Sequence, residues 1–219
     1  MFKILRSVGI LAILMVLTAI ADPVAASPRE GPNRAEKAGA APASTALGRL
    51  ALAQAVLHSA LLGGDPVLGI AAARLAVSAS TEETADEVER ILATARDLAG
   101  PEPALQAMLD ALGSDATRGR AATTQQRTDG DAPAGQTVSV GEDDVIVFKA
   151  GEPAEVYLVG QGEGDLDLIV RDELGNEICR SEGASDREYC SWVPIWQGPF
   201  RIEVINRGVR DNAFSLITN

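Results

Sequence analysis

The sequence predicts a multidomain α + β chain, with helical hairpins first and a small antiparallel β-sandwich last. Three observations predict it. Every Phe, Tyr and Trp except Phe2 lies between Phe148 and Phe214, so residues 27–147 contain none. That aromatic-free segment is rich in Ala and Leu, which favour helix, whereas the C-terminal part is aromatic and β-branched and favours strand. Apolar residues also recur at three- and four-residue steps in the first part and at every second residue in the last.

The N-terminus opens with Lys3 and Arg6, continues with an uncharged apolar stretch from Val8 to Ile20 and ends in small residues. This is the layout of a secretory signal peptide over residues 1–26. Ala19-Ile20-Ala21 and Val24-Ala25-Ala26 both offer a cleavage site, the second leaving Ser27 first. A retained anchor competes with this reading, but the apolar stretch is shorter than the roughly 20 residues that span a bilayer. From Ser27 to about residue 43, Pro, Gly, Ala and charges follow without period and predict a disordered leader.

In residues 44–112 four helices are expected. Leu47, Leu50, Ala53, Leu57 and Leu61 form the stripe of the first, which begins at Ser44 or Thr45 and stops at Gly63-Gly64. Asp65-Pro66 supplies the N-cap and first residue of the second. Ser80 with Glu83 reads as a capping box for the third, whose stripe is Val88, Ile91, Leu92, Ala95 and Leu98 and whose stop is Gly100. Pro103 opens the fourth, with Leu105, Met108, Leu109 and Leu112. An offset of 37 residues maps Pro66 onto Pro103 and Gly63 onto Gly100, which suggests two copies of a helical hairpin. Two copies are too few for a solenoid and point to a small bundle. His58, the single histidine, sits on the first helix without a neighbouring nucleophile on its face and reads as structural or surface.

Residues 113–136 lack large apolar side chains and read as a flexible linker. Beyond them, strands are expected near 137–140, 145–150, 154–161, 166–172, 177–181, 187–193, 199–206 and 213–218. Phe200, Ile202 and Val204 alternate with Arg201 and Glu203, and Leu166, Leu168 and Val170 repeat the pattern. Several short strands separated by turn signals over residues 137–219 predict a two-sheet sandwich.

Cys179 and Cys190 are the only cysteines. In an exported chain they are expected to pair, because a lone C-x10-C is a poor zinc signature and a redox pair is more often C-x-x-C. A hairpin turning midway between them would make the bond a clip between two adjacent strands.

The formal net charge is −12, and removal of residues 1–26 leaves −13, of which −9 lies from residue 136 onward. Such a field repels phosphate backbones and anionic lipid, which argues against nucleic acid or a membrane as partner after signal cleavage. No G-x-S-x-G, H-E-x-x-H or phosphate-binding glycine loop occurs, so no enzyme is expected.

Residues 137–219 resemble the bacterial pre-peptidase C-terminal domain. The shared features are D-L-D-L over Asp165–Leu168, the turn with Asp172, Gly175 and Asn176, the G-P-F-R-I-E-V-I-N strand, and the closing F-S-L-I-T-N. The resemblance implies a non-catalytic module of a periplasmic or secreted protein, related to sandwiches that bind calcium and extracellular polymers. The helical half carries no such resemblance, and no peptidase domain is present in the sequence.

Two ligand sets follow. Asp165 and Asp167 would share a strand face with Asp172 and Glu173 near by, an oxygen-rich set suited to calcium. The competing reading makes each acid an organiser of its own turn and is favoured, because the spacing is not that of a calcium loop. Glu142-Asp143-Asp144 reads as a solvated turn. Tyr157, Tyr189, Trp192 and Trp196 would form a platform for a carbohydrate or peptide if exposed, but core or partly buried packing is the favoured reading, for Trp192 and Trp196 in particular. The expected function is an exported non-catalytic binding protein whose partner is a protein or extracellular polymer. The alternative is an assembly factor that acts through its helical hairpins.

Overall fold

The computed structural model describes residues 29–36, 44–118, 125–140, 146–162 and 164–219. The signal peptide, most of the leader and the Glu142-Asp143-Asp144 turn lie outside the described residues. Gly31–Asn219 form one compact unit, to which all elements belong. Four helices, α1 (Ala46–Gly63), α2 (Pro66–Val77), α3 (Ala85–Ala99) and α4 (Pro103–Arg118), precede nine strands. The strands are β1 (Gln126–Ala132), β2 (Thr137–Val140), β3 (Ile146–Phe148), β4 (Ala154–Gly160), β5 (Leu166–Asp172), β6 (Glu177–Ser181), β7 (Arg187–Trp192), β8 (Gly198–Asn206) and β9 (Asn212–Thr218). The α + β class with a C-terminal antiparallel sandwich and one disulfide is therefore observed.

Local chemistry sets the first two helices as the sequence indicates. Thr45 caps α1 by accepting from the Gly48 N–H, and Gly64 ends it at φ 61°, a left-handed conformation that costs glycine little. Asp65 accepts from the Val67 and Leu68 N–H groups ahead of Pro66. The third helix differs from expectation. The Ser80–Glu83 capping box does not form. Ser80 donates instead to the Ala116 carbonyl, and Thr81 and Thr84 bond each other in a turn, so α3 begins at Ala85. A hydroxyl that finds a tertiary acceptor gives up the local one.

The expected linker is a second difference, because residues 113–136 hold the end of α4 and the whole of β1. Strand β1 pairs with β9 from Gln126↔Thr218 to Ala132↔Asn212. Its side chains are mostly exposed, so backbone hydrogen bonds rather than apolar alternation hold it, and a reading of hydrophobic pattern passes over it. Gly130 is required there, since a Cβ would sit 2.7 Å from the Phe214 ring.

One sheet has the order β1-β9-β4-β7, the other β2-β8-β5-β6, with β3 also pairing β8. The space between them is filled by Val156, Leu158, Leu166, Leu168, Val170, Ile202, Val204, Phe214 and Leu216. Phe148, Trp192 and Phe200 stack edgewise at one end, with ring centroids 4.9 to 5.7 Å apart. On the far side of the first sheet, Tyr157, Val159 and Ile217 pack with Leu47, Leu50, Ile91 and Leu109 of the helices. The helices thus form a third layer that shares a core with the sandwich. Strand β4 is buried along its whole length, which is why A-E-V-Y-L-V-G is nearly continuous in apolar character rather than alternating.

A buried ionic cluster crosses this junction. Glu87 on α3 accepts from Gln54 of α1, from Arg90, and from Arg187 of β7, the last at 2.7 Å. Burial and the nearby Arg187 charge push the Arg90 guanidinium below its usual range. On α1, Thr45 also donates to Glu155 of β4 at 2.5 Å.

Cys179 and Cys190 are bonded, with Cα atoms 5.9 Å apart. The bond does not clip a ladder, as expected from the sequence. Cys179 lies on β6, paired to β5, and Cys190 on β7, paired to β4, so the disulfide ties the edge of one sheet to the edge of the other. A chain that turns between two sheets instead of within one keeps the same spacing but loses the cross-strand pairing.

Two stability measurements probe these ties. Reduction, or Cys179→Ser with Cys190→Ser, is expected to remove about 3 kcal/mol, read from urea midpoints with and without reductant; an unchanged midpoint would show that packing alone holds the edges. Glu87→Ala strands Arg187 and Arg90 without a counter-charge and should cost about 3–5 kcal/mol, and the loss should shrink in Glu87→Ala/Arg187→Leu.

Candidate functional site

The four acids of the calcium reading, the less favoured one, do not gather: Asp165 and Asp167 stand at one end of β5, Asp172 and Glu173 at the other. Asp167 lies near the start of β5 and Asp172 at its end, about 17 Å apart at the strand rise. Asp167 is ion-paired with Arg207 at 2.7 Å. Asp172 accepts from the N–H groups of Leu174 and Asn176 and from the Asn176 side chain, at 2.9 to 3.0 Å. Burial would raise the Asp172 carboxyl, but these bonds and one from the Asn33 N–H outweigh it and hold it below the usual range. Glu173 accepts from the Trp196 indole at 2.7 Å. Among the described residues, no group of three or more His, Cys, Asp or Glu is arranged to hold a metal ion. The acids organise the two ends of one strand, and a strand rigid enough to hold them apart cannot bring them to one ion.

The four aromatic residues of the platform reading also divide. Trp192 is buried between the sheets and Tyr157 beneath the helices, on opposite faces of the same sheet. Trp196 sits with Glu173 beyond the end of β7. Tyr157 and Tyr189, however, are register partners across β4 and β7 and share the face turned toward α1. The Tyr189 hydroxyl donates to Glu155, and burial together with that carboxylate pushes the phenol well above its usual range. Burial does the same to Tyr157. Both are neutral hydroxyl-bearing rings at any physiological pH.

Tyr189, with the buried Tyr157 at its floor, lines a groove of about 510 Å³ between α1 and the β6–β7 turn. Leu57 and Leu61 supply an apolar wall, Ser181, Ser185 and Arg187 the polar one, and His58 stands exposed on the helix side. Arg187 is ion-paired with Glu87, which it shares with Arg90. The groove's serine hydroxyls are engaged: Ser181 donates to Glu188 and Ser185 to the Arg187 carbonyl. A second cleft of about 610 Å³ lies between α3 and α4. There Arg90 is committed to Glu87, and Arg96 to Asp110 and the Leu109 carbonyl. The α1 groove is the better candidate, since it joins an apolar wall to aromatic and polar groups. The sequence grouped Tyr157 and Tyr189 with the tryptophans and left His58 apart; the β4–β7 register pairs the two tyrosines, and the packing of α1 adds His58.

Glu188, between Arg187 and Tyr189 on β7, points to the other face of the sheet, with Cys190 and Trp192, and is buried there. Burial first, then the charges of Asp167, Asp165 and Glu182, push its carboxyl above the usual range, against the Ser181 hydrogen bond.

No family model matches the chain, and no curated protein matches it. Among solved structures, a mitogen from Yersinia pseudotuberculosis is 15% identical, with a TM-score of 0.36 over 44% of this chain and 85% of its own. The pre-peptidase C-terminal domain of a Bacillus anthracis collagenase is 10% identical, with a TM-score of 0.35 over 42% and 88%. A periplasmic inhibitor of g-type lysozyme from Aeromonas hydrophila is 17% identical, with a TM-score of 0.32 over 43% and 84%. Each likeness takes in less than half of this chain, and none assigns a ligand to it.

The raised Glu188 carboxyl has a pH signature. Between the ordinary glutamate value and its own, the folded state holds a proton that the unfolded state has released, so this group's contribution to stability is complete at low pH and lost as pH rises through that interval. Glu188→Gln, which keeps an acceptor for Ser181, is expected to be more stable than the parent at pH 7 and to lose that advantage below about pH 4. Melting curves of both proteins across that range read the difference directly, and parallel curves would show that Glu188 titrates as in water.

Proposed function

We propose that the chain is an exported, non-catalytic binding protein that takes a protein or polymer segment in the groove between α1 and the β6–β7 turn. The groove carries this reading: apolar Leu57 and Leu61 face the Tyr157 and Tyr189 rings and a rim of polar groups, the composition of a recognition site. The disulfide supports export, since such bonds persist in oxidising compartments. Resemblance of residues 137–219 to the pre-peptidase C-terminal domain is in keeping with an accessory, non-catalytic role. The charge of the chain favours neutral or basic partners over polyanions. The serine hydroxyls that share the groove with the single histidine bond Glu188 and the Arg187 carbonyl, which is in keeping with a binding role.

The runner-up, an assembly factor acting through the helices, has its own observation. Leu61, Leu62 and Val67, at the corner where α1 meets α2, are 49, 78 and 67% exposed. A surface that shows three large apolar side chains together fits a protein contact.

Paired variants of the full-length chain separate the two. Ala55 is exposed and lines the groove, so Ala55→Trp fills it without disturbing a buried contact. Against peptide and neutral-glycan arrays, Ala55→Trp is expected to lose binding by roughly tenfold or more, the equivalent of about 1.4 kcal/mol, while Leu62→Glu leaves it unchanged. Loss in Leu62→Glu with retention in Ala55→Trp would overturn the groove reading in favour of the corner.

A further inference from the structure

The expected disordered leader, residues 27–43, is in part a bound segment. Gly31–Glu36 lies across the end of the sandwich opposite the groove, where β7 runs out into Val193–Gln197, and Asn33 is completely buried there. The Arg34 N–H closes a tight turn onto the Pro32 carbonyl at 2.8 Å, which makes Asn33 its apex. Every polar atom of that apex except the carbonyl is then read by the sandwich. The Asn33 N–H donates to the Asp172 carboxylate at 2.9 Å, its Oδ1 accepts from the Ile195 and Trp196 N–H groups at 2.9 and 3.0 Å, and its Nδ2 donates to the Trp196 carbonyl at 2.9 Å. On either side, Asn176 donates to the Gly31 carbonyl, Arg34 to the Ile178 carbonyl and the Ala35 N–H to the Val193 carbonyl.

The pattern distinguishes asparagine from its neighbours in chemistry. Aspartate would set an acceptor against the Trp196 carbonyl and a second charge beside Asp172, alanine would leave two N–H groups and a carbonyl buried without partners, and glutamine would overrun by a methylene. The cradle is also fixed without its occupant. Asp172 is held by Leu174 and Asn176, the Trp196 indole is held by Glu173, and the Pro194 carbonyl accepts from the Gly151 N–H at 2.8 Å. A receptor ordered by its own contacts keeps its shape when the ligand leaves.

We infer that this end of the sandwich, from Asp172 and Asn176 to Val193–Trp196, is a peptide-docking site selective for asparagine at the apex of a tight turn, and that the chain's own Gly31–Glu36 segment fills it as a resident ligand. The strap therefore masks a second recognition surface, independent of the α1 groove. A peptide of the same sequence is excluded while the strap is seated, because the tethered segment has the higher effective concentration.

The test uses the full-length chain and a labelled Gly-Pro-Asn-Arg-Ala-Glu peptide, with fluorescence polarisation for binding and amide hydrogen exchange at Ile195 and Trp196 for occupancy. Asn33→Ala and Asn33→Asp should speed exchange at both amides, and the peptide should bind these variants at least roughly tenfold more tightly than it binds the parent, slowing the exchange again. A peptide with Ala in place of Asn should bind roughly tenfold less tightly or not at all. Arg34→Ala, which removes one strap contact and nothing of the cradle, is the milder form of the same test should the Asn33 variants fail to fold. Unchanged exchange in the variants, no peptide binding to a vacated cradle, or equal binding of the Ala-substituted peptide would each overturn the proposal. Because Ala55→Trp fills the groove and leaves the cradle intact, failure of one reading is distinguishable from failure of the other.

Discussion

Strand β4 must be covered on both faces. Val156 and Leu158 look into the sandwich and Tyr157 and Val159 look out of it, so a two-layer protein would leave a tyrosine and a valine in water beside Ile217. The helices supply the missing cover, and their own weakness makes the need mutual. Their facing residues are mostly Ala and Leu, and a bundle so short of large side chains buries little area by itself. Each layer completes the core of the other, and the unit is cooperative where its composition suggests two separable halves.

The polar cost of that junction is met locally. Glu87 would be an uncompensated charge under the helices were it not for Gln54, Arg90 and Arg187, which reach it from α1, α3 and β7. A buried pair of this kind adds little to stability over an apolar contact, but it penalises any other arrangement of the three elements. Its effect is therefore to fix where α1 lies along β7, and with it the width of the groove between them.

Those parts of the fold written in local chemistry were legible. The caps at Thr45, Asp65 and Gly64, the alternation in β5 and β8, and the cysteine pairing all depend on residues close in sequence or on composition alone. What was not legible depends on partners far away. Strand β1 is held by the backbone of β9 and carries no apolar signature, and Ser80 abandons its capping role for a carbonyl 36 residues on. The disulfide joins sheets rather than strands, because spacing fixes that two residues turn back toward each other but not which ladder each one joins. In the candidate site, Tyr157 and Tyr189 were visible as aromatic residues, yet no pattern could show that they are neighbours while Trp192 faces the other way. The A-E-V-Y-L-V-G run was the available clue to a third layer, since an edge-to-edge apolar strand implies cover on both sides. Asn33 gave none, because an asparagine between Pro and Arg looks like any solvated turn until its acceptors are in place.

Strand β7 connects these features physically. Arg187 and Tyr189 wall the groove, Cys190 is bonded to the opposite sheet, Trp192 packs with Phe148 and Phe200, and the chain then enters the Val193–Trp196 loop that reads Asn33. An edge strand has one free side and is the easiest part of a sheet to displace. Here it is pinned covalently at Cys190, between the groove and the asparagine cradle. In an oxidising compartment the strand is a fixed rail with a site at each end. Under reducing conditions the same strand keeps its ladder to β4, its buried tryptophan and its bonds to Glu87, Glu155 and Ser181, but loses the covalent link to β6. The geometry of the groove and that of the asparagine cradle would then relax together, although no residue is common to both. The Cys179–Cys190 bond thus completes the element that carries both the groove wall and the loop around Asn33.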